Sequence, residues 1–232
     1  GTLFPYTTLF RSTQASFWGD VRVVGFVVGS ADSDAVTLRV IGGRDVIIDY
    51  LTATGAKCDG LAVVSDGGAI TVTNTIAAFN GGQGFNLRSA SDVTVRDSSA
   101  NDNVQDGGSY DDGMEIKDVQ GDVRVINVTA NRNRGSVDND GIEVGRTGGS
   151  VLLRNVTAMD NSDGGFDLWQ TGGTVTVEAA IIRDHPERGV WFTDGGNSPA
   201  LKGSILCGND PGVSVGYATT VDAEANWWGC AG

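Results

Sequence analysis

The sequence predicts an all-β fold: a right-handed parallel β-helix, a solenoid of about eight coils that forms part of a longer solenoid. Three observations carry this prediction. A Gly–apolar–x–apolar motif recurs, with 24, 29, 28, 24, 24 and 23 residues between successive glycines. A second alternating segment follows each motif at a fixed phase, and a turn Asn recurs after that segment. A period of about 24 residues with short alternating strands is typical of a parallel β-helix.

Each repeat of the glycine motif predicts one strand with a buried face and an outward face. The glycines are Gly60, Gly84, Gly113, Gly141, Gly165, Gly189 and Gly212, and Ala35 begins an earlier repeat. Because successive side chains of a strand point to opposite faces, the residue after each glycine is expected to point into the core. Those residues are Leu61, Phe85, Met114, Ile142, Phe166, Val190 and Val213.

A polar residue recurs in the turn that follows the second strand of each coil. The set is Asn80, Asn103, Asn133, Asn161, His185 and Asn209. Stacked Asn side chains can hydrogen-bond from one coil to the next and satisfy backbone groups that no strand reaches. His185, the only histidine, occupies an Asn position, and we therefore expect it to be structural.

Composition limits the classes of partner. The formal net charge of −13 argues against nucleic acid and anionic membranes as partners. No apolar run approaches the roughly 20 residues of a transmembrane helix. We expect residues 1–12 to be a non-native, adapter-derived segment and residues 13–232 to be a single β-helix domain, truncated at both ends and monomeric as a module. Of three cysteines, Cys207 and Cys230 can pair in the last coil, which leaves Cys58 unpaired.

Two segments resemble a known group of proteins. The repeat unit at 92–100 (DVTVRDSSA) with 112–116 (DGMEI) resembles that of pectin-lyase-like, right-handed β-helix proteins. The stretch Asn226-Trp227-Trp228-Gly229-Cys230 resembles the NWWG motif of bacterial extracellular β-helix proteins. The resemblance covers residues 19–232 and implies an extracellular or cell-surface location.

The polygalacturonase signature of this superfamily is not intact. Its paired Asp falls on Asp111-Asp112, but its preceding Asp falls on Gln83 and its His falls on Asp140. No Arg-x-Lys follows at the corresponding strand. We therefore do not expect polygalacturonase activity.

The outward face of the glycine-led strands carries the candidate chemistry. Five acidic residues are expected to form one patch on three consecutive coils: Asp112, Glu115, Asp140, Glu143 and Asp167. The two longest loops, 13 and 11 residues from the small residue to the next glycine against 7 in most coils, flank the same patch. Long loops on adjacent coils often build a site, although outward positions also favour charged residues by default.

Two functions fit this patch. The first is an extracellular or cell-surface structural or adhesive protein that binds polysaccharide on its acidic face. The alternative is a calcium-dependent lyase, an epimerase or a glycoside hydrolase acting on an acidic polysaccharide. The candidate catalytic residues are Lys117, Glu115, Glu143 and Asp167; the candidate sugar-binding residues are Arg88, Tyr110, Arg146, Trp169 and Trp191; the candidate Ca²⁺ ligands are Asp112, Asp140 and Asp167. In the lyase, Lys117 would remove a proton that Ca²⁺ has acidified; in an inverting hydrolase, Glu115 and Asp167 would act together.

Overall fold

A computed structural model describes residues 13–104, 111–193, 199–216 and 220–230, and in these ranges the chain forms strands and turns but no helix. The strands are β1 (Thr13–Phe17), β2 (Val21–Val24), β3 (Val27–Gly29), β4 (Val36–Val40), β5 (Val46–Asp49), β6 (Thr52–Thr54), β7 (Leu61–Ser65), β8 (Ile70–Thr73), β9 (Ile76–Ala78), β10 (Phe85–Arg88), β11 (Val93–Asn101), β12 (Met114–Val119), β13 (Val123–Asn131), β14 (Ile142–Thr147), β15 (Val151–Met159), β16 (Phe166–Thr171), β17 (Val175–Glu178), β18 (Ile181–Arg183), β19 (Val190–Thr193), β20 (Ala200–Lys202), β21 (Ile205–Cys207), β22 (Val213–Val215) and β23 (Trp227–Trp228).

The strands stack into two parallel sheets. The first sheet has the order β1-β4-β7-β10-β12-β14-β16-β19-β22 and contains every predicted glycine-led strand. The remaining 14 strands form the second sheet, in which each strand pairs with the equivalent strand of the next coil. The pairings are parallel, and residues one repeat apart are partners, as for Phe85 with Met114. The predicted solenoid and its register are confirmed.

The second sheet bends at residues with left-handed backbone conformation. In the middle coils its two short strands merge into the nine-residue strands β11, β13 and β15. The bends within them lie at Asp97, Asn127 and Asn155, whose φ angles are 51°, 55° and 52°. Asp and Asn tolerate this conformation because their short polar side chains can hydrogen-bond locally. Asn127 donates to Asp97 at 2.8 Å, and Asn155 donates to Asn127 at 2.9 Å.

The core consists of the inward rows of both sheets. The predicted inward residues from Leu61 to Val190 are all buried, at most 1% exposed. Val213 is only partly buried against the same core. Burying a large aliphatic or aromatic side chain contributes about 1.5–3 kcal/mol, so these stacked rows supply much of the stability of the coils.

The predicted Asn ladder is present, and it explains the recurring glycine. Asn103 donates to Asn133 at 3.2 Å, and Asn133 donates to Asn161 at 3.0 Å. A Cβ atom on Gly113 would lie 2.2 Å from Nδ2 of Asn133 and 2.7 Å from the carbonyl oxygen of Gly141. No side chain fits there, so each ladder Asn requires a glycine on the neighbouring coil.

The disulfide prediction is confirmed. Cys207 and Cys230 are bonded, with their Cα atoms 4.9 Å apart, and Cys58 is a free, exposed thiol. Among the described residues, no helix is long and apolar enough to cross a membrane.

Candidate functional site

The outward row of the first sheet aligns the predicted site residues. Glu115 pairs with Glu143 across neighbouring strands, Glu143 pairs with Asp167, and Asp167 pairs with Trp191. The neighbouring outward row runs from Arg88 through Lys117, Gly145 and Trp169 to Thr193. Because strands of a sheet lie about 4.8 Å apart, each residue of a row lies close to its counterpart on the next coil.

Glu115 lies on the outward face but is only 1% exposed. Lys117 and Arg88 each form an ion pair with its carboxylate, and Nε2 of Gln83 donates to Oε2 at 2.6 Å. Burial alone raises the pKa of Glu115, but these donors outweigh it and hold the pKa below its ordinary value. Glu115 is therefore an anion that is saturated with donors.

Glu143 is fixed in position by two partners. Nζ of Lys117 lies 2.7 Å from Oε2 of Glu143, and Nε1 of Trp169 donates to Oε1 at 2.5 Å. The Trp169 indole reaches Glu143 by crossing Gly145, where an added Cβ would lie 2.3 Å from the ring. Any side chain at residue 145 would displace the indole, so Gly145 and Trp169 together position Glu143.

Lys117 is a cation at this site. Burial lowers the pKa of Lys117, but contacts with Glu115 and Glu143 outweigh burial and raise it above its usual range. The Nζ atom also lies 5.6 Å from the centroid of the Trp169 ring, which favours the charged form. A group that must accept a proton at neutral pH needs a lowered pKa, so this environment disfavours the base role expected of Lys117.

Asp112 and Asp140 lie in the row just before the glycines and are 1% and 5% exposed. Oδ1 of Asp112 accepts the backbone N–H of Asp140 at 2.8 Å, while Oδ2 has no donor among the described residues. Burial, followed by the charge of Glu143, raises the pKa of Asp112 well above its usual range, and the Glu143 carboxyl lies within hydrogen-bonding reach. Asp112 therefore tends to keep its proton beside Glu143.

Asp167 is 8% exposed, and its Oδ1 has no partner in the described part of the chain. Burial, followed by the charge of Glu143, raises the pKa of Asp167 to about 7. A carboxyl group with this pKa is substantially protonated at neutral pH and can donate a proton there.

A cluster of three carboxyl side chains lies in the turns beside this row. One carboxylate oxygen each from Asp138, Asp140 and Asp163 lies within 4.8 Å of the others, and we call these residues the three-carboxylate group. Among the described residues, the predicted calcium ligands Asp112 and Asp167 do not join Asp140 in such a group. For Asp112 the reason is local, because its Oδ1 already accepts the Asp140 amide.

Two further predicted residues, Arg146 and Trp191, lie around the same face. Arg146 pairs with Asp118 at 2.9 Å and lies 5.1 Å from the Trp169 ring centroid. The Trp191 ring carries the Arg188 guanidinium at 3.9 Å from its centroid. Tyr110 lies outside the described residues.

Asp138, Asp163 and Asp59 belong to this site but were not among the residues predicted from the sequence. Asp138 and Asp163 lie in turns, and the only signal was the Asp138-Asn139-Asp140-Gly141 string, which is similar to a calcium loop but lacks its final Glu. Asp59, one coil from Gln83, also belongs to this face: burial raises its pKa to about 6 despite a hydrogen bond from Asn86.

Known proteins match the fold over nearly the whole chain. The structure of pectate lyase Pel9A matches with a TM-score of 0.54 and 17% identity, covering 99% of this chain and 67% of that one. The catalytic unit of the GH87 alpha-1,3-glucanase from Streptomyces thermodiastaticus strain HF3-3 matches with a TM-score of 0.47 and 12% identity, covering 92% and 50%. At 17% identity the pectate lyase match shows the fold alone.

No curated protein matches the chain. The family model described as "Right handed beta helix region" matches residues 31–182, which is more than half of the sequence. Together with the two stacked parallel sheets, this match shows that the chain belongs to the right-handed β-helix family.

Proposed function

We propose that the chain is a polysaccharide-acting protein that hydrolyses a glycosidic bond on the outward face of the first sheet. The observation that carries the proposal is the pair Asp167 and Glu143 on neighbouring coils. Asp167 is buried with one unpartnered oxygen, and Glu143 is held by Lys117 and the Trp169 indole. A protonated acid beside an oriented carboxylate is the arrangement that glycoside hydrolysis requires.

The spacing of the pair supports a retaining mechanism. Residues of neighbouring strands lie about 4.8 Å apart, closer to the ~5–5.5 Å of retaining enzymes than to the ~6.5–9.5 Å of inverting ones. Asp167 would protonate the leaving oxygen, and Glu143 would attack the anomeric carbon. Water would then release the sugar, with Asp167 accepting the proton.

The surroundings suit a sugar chain. Trp169 and Trp191 lie half-buried on consecutive coils of the outward face. Aromatic rings beside carboxyl groups can pack against sugar rings while the carboxyl groups bind hydroxyl groups. The Cys207–Cys230 disulfide fits an oxidising compartment, which supports an extracellular or cell-surface location, where large polysaccharides occur.

The calcium-dependent lyase or epimerase is the second candidate. The three-carboxylate group fits a divalent cation, because Ca²⁺ binds oxygen ligands at about 2.3–2.6 Å. Bound there, Ca²⁺ would supply charge that neutralises a uronate carboxylate. The raised pKa of Lys117 counts against this candidate, since it leaves the proposed base protonated.

The test is release of reducing ends from a panel of neutral, acidic and amine-bearing polysaccharides. Asp167→Asn and Glu143→Gln should each lower the rate at least about 100-fold, because each removes a group acting in the transition state. Asp160→Asn is the matched control, since Asp160 pairs with Arg134 away from the site. Binding without hydrolysis would instead support the structural or adhesive role, and new ultraviolet absorbance on a uronate polymer would support the lyase.

A further inference from the structure

Around the site, the cationic side chains have ion-pair partners, whereas several carboxyl groups lack hydrogen-bond donors. Each cation of the face already contacts a carboxylate of the protein. The pairs are Arg88 with Glu115, Lys117 with Glu115 and Glu143, Arg146 with Asp118, and Arg188 with Asp163 and Glu187. An acidic polysaccharide would have to break these pairs before its own carboxylates could bind.

Several carboxyl groups, in contrast, lack donors. Oδ2 of Asp112 and Oδ1 of Asp167 have no partner among the described residues. Asp140 is 5% exposed, and its side chain accepts no hydrogen bond from any residue that the structure describes. Buried polar groups without partners destabilise the folded protein, so the site is incomplete until a ligand supplies donors.

From this inequality we infer that the three-carboxylate group binds the protonated amine of an amino sugar, so that the polymer is an amine-bearing polysaccharide. This inference rests on the proposed function and names the class of its substrate. It replaces the acidic polymer expected from the sequence.

The geometry of the group matches an ammonium ion. An ammonium has three N–H donors and binds carboxylate oxygens at about 2.8 Å. Around a tetrahedral nitrogen, acceptors at that distance lie roughly 4.6 Å apart. The oxygens of Asp138, Asp140 and Asp163 lie within 4.8 Å of one another.

The solvent access and the neighbours of the three-carboxylate group also fit an amino sugar. Asp138 and Asp163 are half-buried, so the group reaches solvent through them while Asp140 forms its base. Trp191 pairs with Asp167 on the next coil; Arg188 covers one face of its ring, so a sugar ring attached to the amine would pack against the other face. A bare metal ion would gain nothing from this aromatic neighbour, and Ca²⁺ prefers six to eight oxygen ligands.

The charge of the whole chain acts in the same direction. A formal net charge of −13 attracts a cationic polymer and repels a polyuronate at long range. Such attraction weakens steeply as salt screens it.

The experiment compares calorimetric binding of three oligosaccharides of equal length: glucosamine, N-acetylglucosamine and galacturonate, the last with and without Ca²⁺. The glucosamine oligomer should bind at least about tenfold more tightly than the acetylated one at low salt. The Asp138→Asn and Asp163→Asn double variant should lose this preference while melting at an equal or higher temperature, because it carries less like charge. Asp163→Asn alone should lose part of it, and Asp160→Asn should keep it.

Four outcomes overturn the inference. Equal affinity for the glucosamine and acetylated oligomers would mean that the amine is not recognised. Binding of galacturonate that needs Ca²⁺ and both Asp138 and Asp163 would make the group a metal site. Hydrolysis of a neutral polymer with no amine preference would refute the inference and leave the proposed function intact, whereas failure to bind or cleave any sugar would refute both.

Discussion

At the scale of single residues, burial decides what each carboxyl group can do. Glu115 and Asp167 occupy equivalent outward positions two coils apart, yet Glu115 has a lowered pKa and Asp167 a raised one. The difference lies in the number of donors, since Glu115 forms ion pairs with Lys117 and Arg88 and accepts a hydrogen bond from Gln83. The alternation of the strands predicted the face of both residues. It could not predict their burial, because burial depends on whether the long side chains of adjacent coils cover these two residues.

The raised pKa of Asp167 predicts a pH-dependent loss of stability. The folded state keeps the proton up to a pKa of about 7, whereas an unfolded Asp releases it near its ordinary pKa of 3.8. The wild-type protein should therefore lose free energy of unfolding as pH rises from about 4 to 7. Asp167→Asn removes this loss, so in a chelating buffer its melting temperature should exceed that of wild type at pH 8 and match it near pH 4. An equal difference at both pH values would show that folding does not raise the pKa of Asp167.

At the scale of elements, local rules predicted the ladder and the second strand of each coil, but not the merging of two short strands into one. The recurrence of Asn at Asn103, Asn133 and Asn161 was sufficient because each side chain needs only its neighbour one coil away. The merging of two short strands into β13 was not predicted. The merging depends on whether strand pairing continues on both sides of the bend residue, and this cannot be read from the spacing of residues in the sequence.

Substitution of His185, which occupies an Asn position of the ladder, tests how the ladder contributes to stability. Nδ1 of His185 accepts the Asn161 amide at 3.3 Å, and its Nε2 lies 3.1 Å from the carbonyl oxygen of Ala158. Burial lowers the pKa of His185 below 6.5, so the neutral ring contributes stability above that pH and the contribution is lost as pH falls. His185→Asn restores the residue type of the other coils without a titrating group.

The expected result is a smaller fall in melting temperature between about pH 7.5 and pH 5 for His185→Asn than for wild type. Thermal unfolding followed by circular dichroism measures this difference. If both proteins lose the same amount, the ring of His185 does not need to be neutral in the folded state.

At the scale of the whole molecule, the glycine period specified the sheets, since each motif pairs with its equivalent on the next coil. The site was only partly predictable. Its strand residues follow from the period, whereas Asp138 and Asp163 meet through turns whose paths no repeat defines. Trp169 was predicted to bind sugar, but its contact with Glu143 depends on the space over Gly145, which a linear pattern does not reveal.

The spacing between coils matches the spacing between the sugars of a polysaccharide chain. Neighbouring strands lie about 4.8 Å apart, a distance similar to the length of one pyranose ring, so a polymer parallel to the solenoid axis would place roughly one sugar on each coil. The face from Asp59 to Trp191 spans the six strands β7, β10, β12, β14, β16 and β19. Affinity should therefore rise with each added sugar up to about six units and then level off. Binding that stops improving beyond a disaccharide would mean that the polymer crosses the coils instead of following them.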